Sequence, residues 1–186
     1  MSDDMVKNLG PLGPLAGTWE GEEGLDISYI HEQEVKTPFR EKIVLEPFGP
    51  VGNGPQILYA LRYSATAWKK ETGDAFHEEL GYWLWDAGNE QIMRCFMVPR
   101  GVTIIAGGTI KEGSKKFTLK AVDGSDTYGV LNNLFLSITH RTVAYTLDLE
   151  VIDGNTFRYE EDTELYIPVK RDVFHHRDSN KLTKIA

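Results

Sequence analysis

The residues best suited to chemistry stand near the C-terminus, where His175 and His176 are followed by Arg177 and Asp178. A neutral imidazole is a good transition-metal ligand, and it works best when its second nitrogen is held by an acceptor. On an extended strand His176 and Asp178 point to one side and His175 and Arg177 to the other, so only one imidazole can face an interior. Both also have the plain reading of surface histidines in a polar terminus. A second group is His77-Glu78-Glu79. His77 and Glu79 share a strand face, where they either line a cavity and meet a polar ligand head or form an ordinary side-chain pair. Arg62, Tyr63, Arg94 and Arg100 are further donors for an interior, and His140-Arg141 adds a basic pair with the alternative of a solvated strand charge.

Other chemistries find no support. His-Glu-Glu-Leu-Gly lacks the second histidine of a zinc-protease helix. His176-Arg177-Asp178 copies the start of a kinase catalytic loop, but no Asp-Phe-Gly follows. The glycines between Gly49 and Gly54 precede no Gly-Lys-Ser/Thr, so they form no phosphate-binding loop. No nucleophile elbow is present, and nothing around Cys95 argues for a lowered thiol pKa.

The elements that position these residues read as strands. Val143, Tyr145, Leu147, Leu149 and Val151 alternate with Ala144, Thr146, Asp148 and Glu150; Phe117, Leu119 and Ala121 alternate with lysines and threonine. Ile57, Tyr59, Leu61 and Tyr63 share one face, as do His77, Glu79, Gly81, Trp83 and Trp85. A period of two marks a strand with one dry and one wetter face. Turn signals fall between the runs at Gly49–Pro55, Asp86–Asn89, Pro99–Gly101, Lys111–Ser114 and Asp153–Asn155, while 123–133 reads as a longer loop or lid. Paired Gly-Pro steps at 10–14 predict a lead-in segment over 1–14 with one short helical turn. Beyond it no helical period appears. Many short strands predict an all-β sandwich or barrel, and the mixed polar and aromatic inner faces favour a barrel enclosing a guest.

Composition sets the outer bounds. A chain of 186 residues with 4 Trp, 8 Tyr and 8 Phe suits one domain over 1–186. A net charge of −8 opposes nucleic acid and anionic lipid surfaces as partners. Nothing is long and apolar enough to cross a bilayer as a helix. The acidic start Met1-Ser2-Asp3-Asp4 precedes no apolar signal region, and the single cysteine excludes an internal disulfide, so a cytoplasmic setting is expected. Exposed barrel faces leave room for a homodimer.

Four segments carry a family resemblance. Leu15-Ala16-Gly17-Thr18-Trp19-Glu20-Gly21-Glu22-Glu23-Gly24 resembles the Gly-x-Trp-x-Gly-x-Gly signature of the nitrobindin-like haem-binding barrels, with Glu23 in place of the third glycine and Gly24 one place late. Pro38–Ile43 resembles that family's second strand, His77–Trp83 its His-x-Glu-x-Gly-Tyr strand, and Phe174–Ile185 its closing segment. The resemblance implies a closed antiparallel up-and-down barrel of about ten strands, lipocalin-like in shape, with Gly17, Trp19 and Gly21 shaping its closed end. It implies ferric haem b at the open mouth, an axial histidine that the register places at His176 or, one residue off, His175, and a basic residue near the haem edge at Arg141. His77 is a further contact. Nitric oxide binding and peroxynitrite isomerase activity follow if haem is bound. The second reading is a non-haem carrier or sensor of a fatty acid or other small hydrophobic molecule, in which an internal Arg-Tyr group anchors a carboxylate.

Overall fold

The computed structural model describes residues 3–186; Met1 and Ser2 of the acidic start lie outside them. Eleven strands follow in order: β1 Gly17–Ile30, β2 Gln33–Asn53, β3 Gln56–Lys69, β4 Ala75–Asp86, β5 Gln91–Val98, β6 Val102–Thr109, β7 Lys116–Val122, β8 Val130–Asn132, β9 Arg141–Asp153, β10 Thr156–Ile167 and β11 Asp172–Lys184. Helix α1 spans Asp3–Lys7, a 3-10 turn spans Gly10–Leu15, and α2 spans Leu134–Thr139.

Ten strands close into an antiparallel barrel. With the short β8 set aside, each pairs with its neighbours in sequence, β7 with β9, β5 with β6, and β1 pairs with β11 to shut the ring. The seam between β6 and β7 is thin, held by the pairing of Gly107 with Lys120, and the short β8 lies along β6 from Val102 to Ile104 beside it. The period-two reading holds here: Tyr145, Leu147, Leu149 and Val151 of β9 and Phe117, Leu119 and Ala121 of β7 are all buried.

Trp19 plugs one end. It is fully buried, donates its indole N–H to the Leu15 carbonyl at 2.7 Å, and meets Phe157 edge-on at 4.8 Å. The 3-10 turn lies across this end and buries Leu9, Leu12 and Leu15. Gly10 makes the close approach possible: its φ is +54°, and a Cβ there would run into the Trp85 indole. Gly10→Ala is therefore expected to lower stability by about 1–3 kcal/mol, read as a drop in Tm. An unchanged Tm would mean that the cap does not bear on the barrel.

The displaced glycine of β1 has a structural cause. Gly21 pairs with Glu41 and Gly24 with Phe39, so three steps on β1 match two on β2; the same extra residue appears against β11. This is a β-bulge at Glu22-Glu23. Gly24 then sits where the Phe39 ring packs, 2.5 Å from where a Cβ would stand. Beyond the bulge the alternation is reversed, and Asp26 rather than Leu25 or Ile27 turns inward.

Three local expectations are corrected. Gly49–Pro55 is not a loop: β2 runs through it with a register shift between Phe48 and Val51, and the chain reverses only after Asn53. The predicted lid at 123–133 contains β8. Residues 134–139 form α2, capped by the Asn133 side chain, which accepts from the Leu136 N–H at 2.9 Å; six residues with one buried leucine are too short for a helical period to register.

Candidate functional site

Below the open end, the barrel interior is polar. The cavity there is lined by the carboxylates of Asp26, Glu41, Glu79, Glu161 and Asp178, by Arg94, His77 and His176, and by an apolar wall that includes Phe39, Ile43 and Phe76. Its volume is about 40 Å3, room for roughly two or three waters. The expectation of a roomy lumen is not met, because side chains from β2 to β5 and β9 to β11 fill it.

Arg94 is the hub of this filling. It is 3% exposed and donates from Nη2 to Glu79 at 2.5 Å and to the Tyr63 hydroxyl at 2.7 Å, and from Nη1 to Glu161 and to the Tyr145 hydroxyl. Burial would raise the Glu79 pKa, but the Arg94 guanidinium and His77 override it and hold the carboxyl at about 2. Burial and the neighbouring carboxylates push Glu161 up against the pull of Arg94. Glu41, with no cation of its own, accepts from Tyr159 at 2.8 Å and from Asn180 at 3.2 Å; burial raises it to about 7. Burial also drives Asp178 well up, reinforced by Glu161 and Glu79.

At the mouth, His176 on β11 faces inward. Its Nε2 meets Asp26 Oδ1 at 2.6 Å, and its side chain is 31% exposed. His175 points the other way, with Nδ1 at 2.9 Å from Asp162 on the outer face of β10. Arg141, at the start of β9, is bound to Asp123 rather than directed at the cavity. His77 lies in the cavity wall with Nε2 at 3.0 Å from Glu79; burial lowers its pKa, and the hydrogen bond and charge of Glu79 raise it further, to a net increase. Arg62 pairs outside with Glu46, and Arg100 sits exposed in the turn between β5 and β6.

The structure therefore gathers His176 and His77 of the predicted site residues and leaves His175 and Arg141 outside. It adds Asp26, Glu41 and Glu161, and it keeps Asp178 on the face of His176 as their spacing implied. Lys170 lies outside the cavity lining, with its ammonium over the Tyr29 and Phe174 rings at 5.6 and 5.3 Å before the start of β11. Lys170 follows a Pro-Val turn rather than a strand, so no alternation pointed to it. The donors that were expected to anchor a fatty-acid carboxylate, Arg94 and Tyr63, are spent on Glu79 and Glu161.

A closed ten-strand barrel with polar groups gathered beneath one open end is a ligand-binding β-barrel. A family model described as the THAP4-like, heme-binding beta-barrel domain matches residues 8–184, and the chain belongs to that family. Among solved structures, the crystal structure of Rv2717c from M. tuberculosis is similar in fold, with a TM-score of 0.65 at 18% identity over 94% of this chain and 95% of that one. Among the described residues, no helix is long and apolar enough to cross a membrane.

Whether these residues suit a haem turns on His176. Its donor type fits: His176 is a part-exposed imidazole at the mouth, and a carboxylate on one ring nitrogen is the arrangement that supports metal ligation through the other. The 40 Å3 interior does not admit a porphyrin, so the fit is to a group lying across the mouth. Asp26 holds Nε2, and iron ligation through that nitrogen requires Asp26 to give way.

Proposed function

We propose that this chain binds a ferric haem across the open end of the barrel, with His176 as the axial ligand. The observation that carries the reading is that His176 is the C-terminal histidine turned toward the mouth, while His175 is turned away to Asp162. Membership of a haem-binding family supports the choice of guest. Phe39 and Phe76, packed edge-on at 5.9 Å, offer an apolar wall. A bound haem b supplies a ferric centre for nitric oxide and for the isomerisation of peroxynitrite to nitrate. The chain's own part is to present His176 at the mouth and to keep a carboxylate-lined, nearly filled floor below it.

The test is hemin titration of the purified chain. A saturable Soret band that shifts with nitric oxide is expected, lost in His176→Ala and retained in His175→Ala. A Soret band that survives His176→Ala overturns the assignment; absence of any band overturns the haem reading.

A further inference from the structure

We infer that Asp26, His176 and Asp178 form a binding site for a divalent first-row transition-metal ion at the barrel mouth. The inference shares His176 with the haem reading but does not depend on a porphyrin.

The three residues come from paired strands. Asp26 of β1 lies opposite Asp178 of β11, and His176 is the next inward position along β11. Each offers one ligand atom, and those atoms lie within 4.8 Å of one another. One imidazole and two carboxylates suit ions of the manganese-to-zinc series, in which nitrogen and hard oxygen donors are mixed. Three protein ligands leave coordination positions open toward the mouth for water or a small anion.

A separate observation points to a missing partner. Asp178 Oδ1 is sealed from solvent, faces this cavity, and accepts no hydrogen bond. Buried carboxylate oxygens are rarely left so. Two inward carboxylates facing each other across paired strands also repel unless something positive lies between them. The nearby cations are committed elsewhere: Arg94 is held by Glu79 and Glu161, and His77 by Glu79. A cation beside Asp178, Asp26 and His176 would satisfy the free oxygen and relieve the repulsion together. The bulge in β1 is what makes the site, because without it Asp26 would face outward.

The experiment is titration of chelator-treated protein with Co2+, read by its visible absorption bands, and with Zn2+, read by calorimetry. One equivalent of each is expected to bind. Affinity should fall at least about tenfold in His176→Ala and in Asp178→Asn. Asp162→Asn, on the outer face beside His175, should leave it unchanged. Circular dichroism establishes that each variant is folded. Asp178→Asn retains the shape and removes a carboxylate ligand oxygen, so it remains informative if His176→Ala misfolds. Absence of stoichiometric binding, or binding that persists in Asp178→Asn, overturns the inference. Hemin separates it from the haem reading. Co2+ bound first should block the Soret band through His176; a hemin complex that needs His176 in a protein that binds no Co2+ defeats the metal site and leaves the haem reading standing.

Discussion

Arg94→Met is expected to destabilise the barrel by about 3–5 kcal/mol, read by urea unfolding at neutral pH. The cost comes from what is left behind rather than from the lost attraction. Glu79 and Glu161 would both be stranded in the core, and Tyr63 and Tyr145 would each lose a donor. Most of the loss should return in the triple variant Arg94→Met, Glu79→Gln, Glu161→Gln, because neutral amides no longer demand a counter-charge. If the triple variant is as unstable as the single one, shape rather than charge holds this layer together.

Glu41 sets the second large effect, and its sign is opposite to that of a salt-bridged carboxylate. Burial raises its pKa from 4.5 to about 7 in the folded chain. Between those values the unfolded chain releases a proton that the folded chain keeps. The contribution of Glu41 is therefore fully present below pH 4.5 and is lost as pH rises through about 7. The loss is on the order of 3 kcal/mol. Glu79, held at about 2, behaves the other way: its contribution is present above 4.5 and disappears as pH falls toward 2. Unfolding free energies of the parent and of Glu41→Gln, compared from pH 5 to pH 8, isolate Glu41, since the other shifted groups, Glu161, Asp178 and His77, are common to both chains. The parent should lose stability relative to the variant as pH rises. Parallel curves would show that Glu41 ionises in the fold as easily as out of it.

The fold was readable because its information is local. Alternation along β7 and β9, the short turns at Asp86–Asn89 and Asp153–Asn155, and the Gly17–Trp19 start each depend on a few consecutive residues. The site was readable only in part. Choosing His176 over His175 needed the register of β11, which the resemblance supplied to within one residue. Arg141 was misplaced because a strand charge near a mouth looks the same in sequence whether it turns inward or pairs with Asp123. Glu41 and Glu161 were missed because a buried carboxylate betrays itself only by partners far along the chain, as Glu41 does through Tyr159 and Asn180, whereas Asp178 was legible from its spacing to His176. Asp26 had a signal that went unused: the glycine standing one place late marked the inserted residue that turns it inward.

That inserted residue gives β1 a property most strands lack. In a closed ring the surplus cannot slide off an edge, so it shifts the phase of everything from Gly24 onward. A length change of a single codon near Glu22 would exchange Asp26 and Ser28 on the inner face of β1 for Leu25 and Ile27, replacing one carboxylate of the rim with apolar side chains without altering any other amino acid.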